Sequence, residues 1–296
     1  MTGGSSGIGY ELSKILFLAG GRVYIAGRSE EKVQQAIMEI KALDHDISAA
    51  GELEFLPLTL DDLSSIKASA EAFKSKEQRL DVLFNNAGVF SSQESSVTIQ
   101  GYERQLATNC LGPYLFTQLL LPMLFSTART STPDSVRVVW SSSQIVDIVA
   151  PLGGIDMSTI TLLSHSDVFS YTRSKTGNWF LATELAKEVG HQGIISITHN
   201  PGVVKTGIMR YEGSFTRLLV WPFLHPAKYG AYTELWAGVS PTITTEDNGG
   251  YVIPWGRMHF GEREDLLDAL KTVKEGGTGQ AAEFSKWCRD QTARYK

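Results

Sequence analysis

Six short runs of aliphatic and β-branched residues recur along the chain, at 22–26 (RVYIA), 53–58 (LEFLPL), 80–84 (LDVLF), 136–140 (VRVVW), 194–198 (IISIT) and 250–254 (GYVIP). Helical patterns separate them, near 8–19, 30–43, 62–77, 101–125, 168–189 and 227–238, and two charged ones follow near 262–275 and 280–294. Strands that alternate with helices are joined by crossovers, so this order predicts an α/β fold with a parallel sheet and helices on both faces. The runs are continuously apolar, as strands buried on both faces are. No repeat, low-complexity tract or composition shift divides the 296 residues, and 42% hydrophobic content suffices for one large core. Residues 1–296 are therefore read as one domain.

Residues 201–226 interrupt this rhythm: they open on Pro-Gly, end near Trp-Pro, and mix glycine with bulky apolar side chains. Long loops in compact domains usually carry function, so this one is read as a substrate loop; 143–167 is a similar gap. Residues 262–296 read as a C-terminal helical extension. The apolar stretch ILFLAG is too short to cross a bilayer and LLVWPFL contains Pro222, so no transmembrane segment is expected.

A net charge of −5 offers no broad basic field for phosphate backbones, which argues against nucleic acid as a partner and suits a cytoplasmic protein. Cys110 and Cys288 lie far apart and outside any C-x-x-C pair, so they read as reduced thiols. The six histidines show no metal-binding spacing, and no metal site is assigned.

The chemistry-bearing motifs begin with TGGSSGIG at 2–9. Gly3 permits a tight turn, Gly7 and Gly9 allow close backbone approach to a pyrophosphate, and a helix starting near Ile8 favours negative charge. About twenty residues on, AGRSEEK places Arg28 at a strand end, where a guanidinium suits a ribose 2′-phosphate. NNAG (85–88) follows a buried strand, where two amides in a row favour a turn or a ligand. YTRSK sets Tyr171 and Lys175 at i,i+4, on one face of a helix.

In order along the chain stand the glycine loop, NNAG, Asn109 in ATNCLG, WSSS at 140–143, YTRSK, and NPGVVKT at 200–206. This ordered set resembles the short-chain dehydrogenase/reductase family, from Thr2 to about Lys205, and within it the retinol-dehydrogenase-like branch with its VVWxSS strand and GGYVIPWGR ending. The resemblance implies a Rossmann-like doubly wound sheet and an NADP(H)-dependent oxidoreductase, NAD being the alternative. It implies a catalytic set of Ser143, Tyr171, Lys175 and Asn109, with Ser142 the alternative serine. It also implies cofactor contacts from Gly3, Ser5, Gly7, Ile8, Gly9, Arg28, Asn86, Tyr171, Lys175, Val204 and Thr206. Family members commonly pair through the helices near 101–125 and 168–189, so a homodimer is expected.

The residue types suit this chemistry. A phenol with an ordinary pKa of about 10 needs a nearby cation to act as a base, and Lys175 is placed to be that cation. Ser143 would hold the substrate oxygen, Tyr171 would move the proton, and Asn109 would help position a water. Apolar residues of the loop, among them Ile208, Met209, Phe215, Leu219 and Trp221, suggest a lipophilic carbonyl or alcohol, as in secondary metabolism, or contact with a membrane surface.

Two departures qualify the resemblance. Where the family places an adenine-contacting Asp after its third strand, FLPLTLDDLSS has Thr59, with Asp61 and Asp62 following. The family also carries a central strand before the glycine loop, and here Met1 stands in its place. Such a strand represents on the order of 10 kcal/mol of burial, so the expectation is that the natural protein starts further upstream; otherwise this polypeptide folds poorly. Two other readings are an NAD(P)-binding protein without turnover and a nucleotide-sugar epimerase, which also uses a Tyr-x-x-x-Lys pair; loop spacing and a short C-terminal region speak against the epimerase.

Overall fold

The computed structural model describes residues 1–43, 51–90, 97–163, 166–205 and 224–296. All six apolar runs are strands. β1 (Arg22–Gly27) and β2 (Glu52–Pro57) pair in parallel, and β3 (Val82–Asn85), β4 (Val136–Ser141), β5 (Ile194–His199) and β6 (Tyr251–Ile253) form a second parallel group. A two-residue strand, β7 (Arg257–Met258), adds antiparallel to β6 and is too short to leave a pattern in the sequence.

Met1–Gly3 join the two groups. Ala26 N–H donates to Met1 O at 2.8 Å and Gly3 N–H to Ala26 O at 2.9 Å, while on the other side Thr2 N–H donates to Phe84 O at 3.0 Å. The Met1 amine donates to Tyr24 O at 3.0 Å. The order is thus β2-β1-(Met1–Gly3)-β3-β4-β5-β6-β7, a Rossmann-like doubly wound sheet in which three residues hold the central position. Behind them a cavity of about 450 Å³ separates β1 from β3, lined by Tyr24, Phe73, Phe84, Phe116 and Leu120. Two strand carbonyls that border this slot are satisfied by the N-terminal residues, Tyr24 O by the Met1 amine and Phe84 O by Thr2 N–H.

Helices cover both faces. α1 (Gly7–Leu18) packs on α7 (Ala227–Val239); on the other face α3 (Leu63–Lys76) packs on α4 (Arg104–Ala128), and α6 (Asp167–Val189) on α9 (Gln280–Thr292). α2 (Glu30–Lys41) follows β1 and is capped by Ser29, whose hydroxyl accepts from Lys32 N–H. Side chains along one strand divide between two cores: Val138 and Trp140 join Phe180 and Phe284, whereas Val139 joins Ile25 and Ile197. That division is why the strands read as continuous apolar runs.

α4 contains a π-helical turn over Ala107–Leu111. At a mean hydropathy of 1.2 it is long and apolar enough to cross a membrane, but 67% of its apolar window is buried within the protein, as in a core helix. The segment after β4 holds a short helix, α5 (Ile145–Val149), which periodicity did not reveal. The pattern near 262–275 resolves into α8 (Glu264–Leu270) and a separate turn at Val273–Glu275. Thr272 starts that turn as a capping box, exchanging hydrogen bonds with Glu275, and so ends the preceding helix.

Candidate active site

β4 delivers three serines to its C-terminal edge, and their surroundings separate them. Ser141 accepts at its main-chain carbonyl from Lys175 Nζ (2.9 Å) and Asn178 Nδ2 (2.8 Å). Ser142 is buried and its hydroxyl donates to Lys175 O at 2.9 Å, tying the strand to α6. Ser143, half-buried, lies close enough to the Tyr171 phenol to pull its pKa down. Of the two candidate serines, the one beside the tyrosine is Ser143.

Tyr171 and Lys175 occupy one face of α6, and the Lys175 ammonium lies 5.5 Å from the centre of the Tyr171 ring. Phe90 packs edge-on against the same ring at 5.0 Å. Burial pushes the Tyr171 phenol up to about 12, against the smaller downward pull of the neighbouring Ser143 side chain. Burial also pulls Lys175 down to about 8, with the nearby Cys110 and Glu234 opposing. The sequence suggests a cation that depresses the phenol. The structure differs because the ammonium is committed to Ser141 O, and desolvation dominates at the phenol.

Asn109 sits fully buried in the π-helical turn of α4. Its Oδ1 accepts from Val89 N–H (2.8 Å), and its Nδ2 donates to Val89 O (3.1 Å) and to Ser174 Oγ (2.8 Å). Its side chain thus locks the segment after NNAG onto α4 and α6. Asn178, one helical turn beyond Lys175, was not anticipated, although its spacing on the Tyr171–Lys175 face is visible in the sequence.

The glycine turn lies alongside. Gly3 (φ +68°) and Gly7 (φ +57°) take left-handed conformations, and a Cβ on Gly9 would stand 2.6 Å from both Gly3 O and Asn86 Nδ2. Asn86 Nδ2 donates to Thr2 O at 2.9 Å, which pins NNAG against the turn. Ser6 precedes α1 without a side-chain capping bond, and no acidic residue occupies the first turn, so the helix presents uncapped N–H groups. Ser5 and Ile8 lie half-buried in this turn, Ile8 against Gly230 of α7. Arg28 is exposed just past β1, with no ion-pair partner among the described residues.

Val204 is buried and bridges to His225, whereas Thr206 and most of the expected substrate loop lie outside the described residues. The acidic residues after β2 are otherwise engaged: Asp61 pairs with Arg104 at 3.2 Å, and Asp62 caps α3 and accepts from Gln100.

The arrangement gathers two hydroxyls, from Ser143 and Tyr171, beside a buried ammonium at the carboxyl edge of a parallel sheet and next to an uncapped helix start. It can hold one oxygen atom and exchange a proton with it.

Comparison with known proteins identifies the family of the chain. Residues 1–146 match the family model described as short chain dehydrogenase. The chain is 44% identical over 289 residues to the short-chain dehydrogenase/reductase iacJ of Pestalotiopsis fici, covering 97% of this chain and 87% of that protein. It is 45% identical over 304 residues to a short-chain dehydrogenase/reductase of Phomopsis amygdali, covering 89% of that protein. Among solved structures, the NADPH-bound carbonyl reductase from chicken fatty liver is similar in fold, with a TM-score of 0.64 and 21% identity over 88% of this chain and 97% of that one. At 97% coverage and 44% identity to a curated relative, the chain belongs to the short-chain dehydrogenase/reductase family.

Proposed function

We propose that the protein is an NADP(H)-dependent oxidoreductase that interconverts a carbonyl and a secondary or primary alcohol on a lipophilic small molecule. The observation that carries this reading is the buried Lys175 ammonium 5.5 Å from the centre of the Tyr171 ring, with Ser143 beside the phenol. The cofactor would rest on Gly3, Ser5, Gly7, Ile8 and Gly9 at the uncapped start of α1, with Asn86, Val204, Thr206, Tyr171 and Lys175 along its length. Arg28, exposed and unpaired among the described residues, favours NADP over NAD because a guanidinium matches a 2′-phosphate. When bound, the nicotinamide supplies or accepts the hydride.

The chain's own residues manage the oxygen. Ser143 donates a hydrogen bond to it, and Tyr171 gives up its proton as charge develops there on reduction, or takes one on oxidation. A phenol near 12 is still far more acidic than an alcohol, so the transfer runs downhill. The Lys175 ammonium, mostly charged at neutral pH with its pKa near 8, stabilises the phenolate that results. Exposed Ile148, Val149 and Leu152, in the segment after Ser143, support a lipophilic substrate.

The test is NADPH consumption with a panel of aromatic and alicyclic ketones and aldehydes, and NADP reduction with the matching alcohols. Turnover that disappears in Tyr171→Phe is the expected result; no turnover in either direction overturns the reading.

A further inference from the structure

Behind Ser143 stands a tyrosine that the reaction as described does not use. Tyr251 of β6 is 1% exposed, and its ring is held between Trp179 (centroids 4.8 Å apart) and the stacked imidazole of His259 (5.5 Å). Packing of this kind would be satisfied by phenylalanine. The hydroxyl, however, donates to Ser143 O at 3.1 Å and lies 3.4 Å from Ser142 Oγ. Ser143 O also accepts from Val146 N–H at 3.1 Å, so its two acceptor positions are filled from β6 and from the first turn of α5.

The tyrosine is itself anchored to the same helix. His259 N–H donates to Tyr251 O at 2.6 Å, and His259 Nε2 stands 3.3 Å from Asp147 Oδ2 on α5. Contacts therefore close a ring: Ser143, α5, Asp147, His259, Tyr251, and back to Ser143.

We infer that Tyr251 is a positioning residue for Ser143, fixing the peptide plane that aims the serine hydroxyl at Tyr171. Serine has a single side-chain torsion, so once its backbone is held, its oxygen has only three staggered places to go. Ser143 lies beyond the end of β4 and pairs with no strand among the described residues, and its Oγ accepts only a long bond from Ile145 N–H at 3.4 Å, so a hold on its carbonyl helps fix it. The inference rests on the proposed role of Ser143.

The test is a double-mutant cycle with NADPH and 9,10-phenanthrenequinone, combining Tyr251→Phe with Ser143→Ala. Tyr251→Phe is expected to lower kcat about tenfold, the scale of a small misplacement, and to leave the melting temperature within about 2 °C. In the Ser143→Ala background the same change is expected to alter kcat less than twofold. An equal loss in both backgrounds, or a kcat within twofold of the parent, overturns the inference. Full activity in Ser143→Ala alone overturns the proposed role of the serine, and the inference with it. A turnover-independent readout accompanies these: in Tyr251→Phe the Val146 amide should exchange several-fold faster while Val138 and Val139 are unaltered, and unaltered Val146 exchange overturns the clamp.

Discussion

Lys175 donates its ammonium to the main-chain carbonyl of Ser141 at 2.9 Å, two residues before the serine that meets Tyr171. One side chain thereby couples the end of β4 to the tyrosine one turn back on α6. The ion is buried, and desolvation draws its pKa down to about 8, with Cys110 and Glu234 opposing. The side chains of the candidate site thus stand at two regular elements, the end of β4 and α6.

Tyr171→Phe should abolish carbonyl reduction by about 10²- to 10⁴-fold, the range of general acid catalysis, while NADPH binding by fluorescence stays within a few-fold. The variant loses one hydroxyl and keeps the ring that packs on Phe90, so the fold is retained.

Arg28→Ala should weaken NADPH binding by about tenfold or more and leave NADH binding nearly unaltered, because only NADPH carries the phosphate that a guanidinium recognises. Titration calorimetry with each cofactor measures the contrast.

Gly9→Ala places a methyl 2.6 Å from Gly3 O and Asn86 Nδ2, one of them main chain. Relief requires α1 to move away from the glycine turn. The expected cost is about 1–3 kcal/mol of stability, read by denaturant unfolding, together with weaker cofactor binding.

The Met1 amine is buried and its pKa is pulled from 8.0 to about 6, chiefly by desolvation, with Glu234 opposing. The folded state therefore disfavours the proton that the unfolded state holds, so stability rises as pH increases from about 6 to 8. The gain is about 2–3 kcal/mol across that window. Unfolding free energies against pH should show this slope for the free amine, and a flatter one after N-terminal acetylation.

The slot between β1 and β3 should accept more strand. Extending Met1 backwards by four aliphatic residues should raise the melting temperature, since each such side chain contributes about 1.5–3 kcal/mol when buried. An extension of the same length containing proline and serine should not, because proline withholds a ladder donor and serine leaves the cavity unfilled. Calorimetry compares the two.

Much of this protein was legible from its residues. Continuous apolar runs marked all six parallel strands because each is buried from both faces, and the Tyr171–Lys175 spacing marked one face of α6 because helical periodicity is local. The glycine turn was legible for the same reason: Gly3 and Gly7 take conformations, and Gly9 a close approach, that other residues resist. Family resemblance then ordered these pieces into a site.

Contacts between distant segments decided the rest. Ser142 and Ser143 are neighbours in sequence, and which of them faces Tyr171 depends on where β4 ends and how α6 packs on it. Asp61 and Asp62 follow Thr59 in sequence, and only the fold shows that Arg104 and the start of α3 hold them. Tyr251 reaches Ser143 across 108 residues, a distance over which no local pattern carries information. Propensity and periodicity report what a residue does to its own backbone and which face it buries; the partner it finds there is set only when strands and helices that are remote in sequence pack together.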